Sequence, residues 1–417
     1  MQASERTAAQ EWRENWTIVL AAFLGVTWMT APSISLGLFI LPLQNEFGWS
    51  RADISFGMTL YALIGTPLVP FAGALVDKFG SRRVGMPGLV LNGLAFAAFG
   101  LLTPSLWHWM MAWVLYTLTQ LLIRSILWNR AVAKVFSASR GLALAVTMAG
   151  ISFAQTLTPI IARWLIDDYG WRNAYFSLGI GWAGVAFIAV VLFLREPGDR
   201  QKAASASPAA DAEALQEGGL TFGEALRDQR ILRIVFAIIV QTSVFSGIAL
   251  HIFPLLTGSG ISHAGAASMT AAIGLAALAG QLLTGWLADR VQSTLLPVSC
   301  FVVLVFAYLI LLNGKGVESL LWLGVLLAGY GSGASINIST YLTSRYGGVA
   351  NFGKIYGLIS SGMGLAAGIG TYLAGRIFDT TGSYDNYLII GAVAATVATI
   401  AVFRLGPYPK FEPAAAG

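Results

Sequence analysis

Charge is scarce in this sequence. Asp, Glu, Lys and Arg make up 11% of its 417 residues, where soluble domains carry about 25%. That is too little to clothe a water-facing globule. Cysteine is nearly absent: Cys300 stands alone inside an apolar run, which excludes an intrachain disulfide framework and a cysteine metal site. The three histidines, His108, His251 and His263, are scattered and form no metal-binding pattern. No Gly-x-x-x-x-Gly-Lys-Ser/Thr run occurs, so the chain has no phosphate loop with which to use a nucleotide. An enzyme and a bound cofactor are therefore not expected. The first fifteen residues are polar and lack the short apolar core and small-residue cleavage site of a signal peptide. The first apolar run should be retained.

What is present is apolar length. Hydrophobic residues make up 56% of the chain. They gather into runs at 16–42, 52–76, 84–103, 107–134, 141–166, 173–194, 231–256, 265–288, 294–312, 319–343, 355–376 and 386–405. Runs of about 20 apolar residues span a bilayer as helices. A closed barrel would instead alternate apolar and polar residues in short segments. The expectation is an all-α membrane protein of twelve transmembrane helices with both termini on one side. Lys and Arg are retained on the cytoplasmic side. With the N-terminus inside, 19 of the 25 basic residues lie there, five lie outside, and Arg124 is left in the membrane. The net charge of +5 is then a topology signal, and no nucleic-acid partner is needed to explain it. The expected location is the cell (inner) membrane, multi-pass, with cytoplasmic termini.

The longest polar stretch lies near the middle and carries an Ala/Ser/Pro-rich piece, Ala203 to Ala210, which reads as a flexible linker. After it, Leu220, Phe222, Leu226 and Ile231 alternate with charged residues, as in a short amphipathic helix at the membrane surface. The expected organisation is a six-helix bundle at 1–194, a cytoplasmic linker with an amphipathic helix at 195–230, and a second six-helix bundle at 231–417. The halves repeat. Asp77 and Asp289, Gly170 and Gly382, and Tyr175 and Tyr387 are each 212 residues apart. Tandem six-span repeats imply two bundles related by a pseudo-two-fold axis, with a binding site at the repeat interface.

The run Gly73-x-x-x-Asp77-Lys78-x-Gly80-x-Arg82-Arg83, with a degenerate copy from Gly285 through Asp289 and Arg290, resembles the signature loop of the major facilitator superfamily. Lys134 to Ala143, Gly170 to Tyr175 and Phe352 to Gly357 resemble the monocarboxylate and oxalate–formate branch. The resemblance covers nearly the whole chain. It implies a secondary carrier of a small organic anion, a monocarboxylate or a relative, working by alternating access with proton symport. Asp77, Arg82, Arg83, Asp289 and Arg290 would form a conformational gate, since an acid at a helix end can cap a neighbouring helix. Arg163 with Asp167, and Arg376 with Asp379, read as ion pairs at the outer ends of spans five and eleven.

Arg124 is the plain intramembrane charge. It precedes Lys134 by ten residues, which puts it about 15 Å above the inner end of span four. Such residues are costly and mark function by default. A guanidinium can hold a carboxylate by two parallel hydrogen bonds. The competing reading is a packing arginine bonded to carbonyls. Ser33, Tyr61, Gln155, Asn337 and Tyr341 sit at middle depth as further substrate-binding candidates. His251 is a candidate for substrate contact and for proton coupling. Pro32 and Pro159, and the glycines 329, 331 and 333, could bend helices around a cavity. The branch usually places a cation in span eight, whereas 265–288 holds none here. The anion-binding charge would then have moved to the N-terminal half, which argues against lactate or oxalate as the substrate, and the aromatic load of 13 Trp, 13 Tyr and 23 Phe would fit a larger aromatic or branched carboxylate. The expected partners are that anion, a proton and the bilayer, with the chain working as a monomer. The alternatives are an efflux carrier for hydrophobic compounds or an anion exchanger.

Overall fold

The computed structural model describes residues 7–136, 139–194, 219–290, 295–348 and 351–409. The first seven helices are α1 (Ala8–Phe47), α2 (Arg51–Phe79), α3 (Ser81–Ala97), α4 (Leu106–Gln120), α5 (Ser125–Ala133), α6 (Arg140–Phe176) and α7 (Ala183–Phe193). After a single turn, α8 (Phe222–Ala225), come α9 (Gln229–Gly258), α10 (His263–Arg290), α11 (Leu295–Asn313), α12 (Glu318–Gly347), α13 (Phe352–Thr381) and α14 (Asp385–Val402). Among the described residues, extended pairing is confined to one bridge, Gly219 to Gly348.

Among the described residues, eleven stretches are long and apolar enough to cross a membrane. One of them, Leu142–Phe193, has 52 residues, far more than the ~20 that a span needs. It is broken at Gly170, whose φ of 81° and ψ of 158° no helix accommodates. Only glycine enters that region without a steric cost. The stretch is therefore two spans joined by a reversal, which restores the expected twelve. Large apolar side chains stay exposed along these helices, including Leu101, Leu282 and Ile400 at 65–70%. Exposure on that scale is stable only against lipid.

The reversal at Gly170 is clamped by the residues that follow it. The Trp171 indole donates to Glu46 Oε2 at 2.6 Å. Arg172 pairs with Glu46 Oε1 at 2.5 Å and donates to the carbonyls of Gly100 and Leu102. Glu46 at the end of α1 thus holds the turn inside α6, and Arg172 ties that turn to the segment that follows α3. Below it, Tyr175 stacks on Phe39 at 3.9 Å, and Phe96, Phe99, Trp109, Trp113 and Tyr116 meet largely edge to face. Gly382, at the repeat-related position, also adopts a positive φ of 73°.

The chain forms two compact units. One comprises Met1–Trp49 with Leu60–Ser205, the other Ser50–Thr59 with Ala206–Gly417. The tip of α2 therefore packs with the C-terminal helices. The second unit has its own core, with Ile231, Ile234, Phe301, Ala334, Ile338 and Tyr346 at its centre. The amphipathic segment expected after the linker contracts to the single turn α8, where a Thr221–Glu224 capping box closes the end. Leu220 N–H docks on the Gly347 carbonyl at 2.9 Å, and Ala225 is buried in the core.

The glycines of α12, expected as sites where the helix could bend, are places of close approach. A Cβ on Gly333 would stand 1.9 Å from the Ala277 carbonyl oxygen, and one on Gly280 would stand 2.1 Å from that of Tyr330. Small residues let membrane helices pack backbone to backbone. Gly333→Leu should lower thermal stability in detergent by about 1–3 kcal/mol or more, the cost of overpacking. Gly357→Leu, at a position with nothing within 4 Å of the added Cβ, should leave the melting curve almost unmoved.

Candidate functional site

Span four is where the fold departs furthest from the even helix that its apolar run suggests. α4 tightens into a 3₁₀ turn at Leu121–Ile123, then breaks at Arg124, where ψ is 157°. α5 restarts at Ser125, and no side chain caps its new N-terminus. A break at membrane depth frees backbone groups that lipid cannot satisfy, each costing several kcal/mol. The carbonyl of Ile123 is recovered by the Trp128 indole N–H at 2.8 Å. Trp128 reaches it because Gly25 of α1 leaves room: a Cβ there would fall within 2.4 Å of the ring.

The helix above the break is tied to its neighbours by buried polar bonds. Trp28 Nε1 donates to Asn92 Oδ1 at 3.0 Å, Asn92 Nδ2 donates to Thr119 Oγ1 at 3.2 Å, and Gln120 Nε2 donates to the Met29 carbonyl at 2.7 Å. Together they fix α1, α3 and α4 around the turn that carries Arg124. The guanidinium itself is half-buried against α2. Its Cζ stands 5.4 Å from the centre of the Tyr61 ring. Gly65 gives it space, since a Cβ there would lie 2.8 Å from Nη2. Nε is buried without a hydrogen-bond partner, and among the described residues no carboxylate pairs with Arg124. The Tyr61 ring lies 6.1 Å from that of Tyr116, whose hydroxyl faces Ser33. Three expected residues, Ser33, Tyr61 and Arg124, are thus brought together within one unit. Tyr116 joins them unforeseen, because a fully buried tyrosine in an aromatic-rich run reads as packing.

The second unit carries a separate polar cluster. His251, 1% exposed on α9, has Nδ1 at 2.8 Å from the Tyr384 hydroxyl. Its Nε2 lies 3.0 Å from Ser55 Oγ and 3.2 Å from the Thr371 carbonyl. Arg51 donates to the same tyrosine at 2.5 Å and lies over the Phe378 ring at 3.5 Å. The expected pairing of Arg376 with Asp379 is not formed. Asp379 instead accepts the backbone N–H groups of Arg51 at 3.0 Å and Ala52 at 2.8 Å. A helix N-terminus presents unpaired N–H groups and partial positive charge, and here it attracts a carboxylate more effectively than a side chain one turn away. The pair Arg163–Asp167 does form.

The other expected residues lie elsewhere. Tyr341 is half-buried, accepts from Arg345 Nε at 3.2 Å and meets Tyr408 edge-on. Gln155 is half-buried on α6. Arg82 donates to the Val191 carbonyl at 2.9 Å. Arg83 is exposed and lines a groove with Phe79, Val84, Pro87 and Leu122. The side chains of Asn337, Asp77, Asp289 and Arg290 lie outside the described residues.

Repeated apolar helices of this length define a multi-pass membrane protein. Residues 17–347 and 259–416 match the Major Facilitator Superfamily, and the chain belongs to that family of membrane transporters. An uncharacterised MFS-type transporter, YcxA of Bacillus subtilis (strain 168), is 26% identical over 95% of this chain and 96% of its own length. Monocarboxylate transporter 13 of Bos taurus is 24% identical, covering 90% of this chain and 86% of its own. Monocarboxylate transporter 11 of Mus musculus is 26% identical, covering 90% and 83%. Among solved structures, the inward-open xylose transporter XylE of E. coli superposes with a TM-score of 0.71 at 17% identity, covering 95% of this chain and 98% of that one. A bacterial homologue of the human lysosomal transporter Spinster, inward-facing and unoccupied, gives 0.70 at 15%, covering 92% and 96%.

Trp128→Phe removes the donor that holds the Ile123 carbonyl while keeping an aromatic ring against Gly25. An orphaned buried acceptor costs about 1–3 kcal/mol. The melting temperature of the purified protein should fall accordingly, whereas an unchanged melting curve would mean that the break is held by other contacts.

Proposed function

We propose that the chain is a secondary carrier of a small organic anion, a carboxylate of monocarboxylate type, which it moves by alternating access. The observation that carries this reading is the Arg124 guanidinium: held at a helix break by packing on α2, close to hydroxyl groups, and matched by no protein carboxylate among the described residues. A charge in hydrocarbon is retained where it does work, and a planar guanidinium suits a carboxylate bidentately. Tyr61, Tyr116 and Ser33 add an aromatic face and hydroxyl groups that would orient the substrate. The likeness to monocarboxylate transporters 11 and 13 supports the same substrate class.

Proton coupling belongs to this proposal. Among the described residues the membrane-embedded segments offer no deep acid to carry a proton, so it travels either on His251 or on the substrate. Gln155, Asn337 and Tyr341 are proposed as further substrate contacts. Asp77, Arg82, Arg83, Asp289 and Arg290 are proposed as the gate at the basic end. The charge distribution supports a cytoplasmic position for both termini in a cell (inner) membrane, and the chain is taken to work as a monomer.

Uptake of labelled carboxylates into proteoliposomes tests the reading. Arg124→Gln should lower uptake at least about tenfold, in line with the 1.5–3 kcal/mol of a hydrogen bond to a charged group. The variant should keep the melting temperature of the parent. Full uptake by Arg124→Gln would remove Arg124 from the binding site.

A further inference from the structure

The polar cluster around His251 closes on itself, and its hydrogen positions can be deduced. The Thr371 carbonyl is an acceptor only, so the ring nitrogen beside it, Nε2, carries the proton. Ser55 donates its own hydrogen to the Arg51 carbonyl at 2.7 Å, so its oxygen also accepts from Nε2–H. Nδ1 must then hold the lone pair, which the Tyr384 O–H fills. The Tyr384 oxygen in turn accepts from Arg51 Nη1. The chain of donors runs from the Arg51 side chain through Tyr384, His251 and Ser55 back to the Arg51 backbone. Every link is satisfied when the imidazole is neutral.

This ring ties the first turns of α2 to three helices of the C-terminal unit. The Arg51 guanidinium sits over Phe378, and Asp379 caps the helix N-terminus. Thr59 Oγ1 donates to the Gly368 carbonyl at 2.7 Å. Gly375 lets the backbones meet, since a Cβ there would lie 2.7 Å from the Arg51 carbonyl. The rest of α2, from Leu60, packs with the other unit. The tip is therefore held to the C-terminal helices by these polar bonds together with buried Ala52 and Ile54 and the Phe56–Tyr372 ring contact.

We propose that Nδ1 of His251 is a proton-binding site whose occupation releases the tip of α2, Ser50–Thr59, from α9, α13 and α14. A proton on Nδ1 faces the Tyr384 O–H with a second donor. The phenol must turn its hydrogen away and leave it unpaired in a buried site, which is costly. Two positive groups, the imidazolium and Arg51, would then share one phenolic oxygen. The charges around the site offer His251 no relief. On α2 it faces Arg51. On α13 it meets the neutral Thr371 carbonyl, and Asp379 is engaged with the α2 N-terminus. On α14 it meets the neutral Tyr384, while the neighbouring Asp385 pairs with Lys315. On α10, His263 stacks on Phe253. The tip then leaves with Arg51, which removes the repulsion. A proton is thereby converted into freedom of α2.

Hydrogen exchange read by mass spectrometry on the full chain in lipid nanodiscs tests this without any substrate, so it stands or falls separately from the anion reading. After correction for the chemical rate, amides 51–59 should exchange about fivefold or more faster at about pH 5.5 than at about pH 7.5, the low end of ordinary site-to-site coupling. His251→Gln should abolish that pH response. Tyr384→Phe, which removes the shared hydroxyl and little else, should give fast exchange at both pH values. A pH-independent tip in the parent overturns the proposal. So does an undiminished response in His251→Gln, or parental behaviour in Tyr384→Phe.

Discussion

In hydrocarbon there is no water to satisfy a polar group left over by the chain, and this constraint governs every irregularity in the fold. Where the helix of span four stops at Arg124, the protein supplies its own remedy for the freed carbonyl, the Trp128 indole. For the guanidinium it supplies position and no opposite charge among the described residues: a tyrosine face, a glycine that makes room, and nearby hydroxyl groups. Silencing the carbonyl lets the break exist, and a guanidinium without a protein carboxylate is what the proposed anion site requires.

The internal repeat makes the same point by comparison. Gly170 and Gly382 share a positive φ, and Tyr175 and Tyr387 that follow them are both buried. These positions carry the skeleton, and both copies keep it. The chemistry-bearing positions diverge. Arg124 and its helix break correspond to Ile336 in the unbroken α12. Arg172, which clamps Glu46, corresponds to Tyr384, which joins Arg51 to His251. The divergence falls on the residues that carry charge and hydrogen bonds, while the backbone positions are kept.

The span architecture is largely legible in the sequence, because apolar run length reports directly on the bilayer. The reversal at Gly170 and the Arg163–Asp167 pair were legible for the same kind of reason, since local spacing decides both. The break at Arg124 was hidden. Neither glycine nor proline marks it, and the residue that stabilises it, Trp128, looks like any other aromatic in the run. Asp379 was misread because its partner is local in space but hundreds of residues away in sequence, on the N-terminus of α2. At the α12 glycines the sequence cannot separate bending from close packing, and the facing helix α10 shows close packing at Gly329 and Gly333.

The central claim is that a negative charge on the solute, more than its shape, is what Arg124 recognises. Thermal-shift binding to the purified protein, run with carboxylates and their primary amides as matched pairs, measures this most directly. The account predicts that a carboxylate stabilises the protein while its amide, equal in size but neutral, does not. Equal stabilisation by both members of a pair would contradict it.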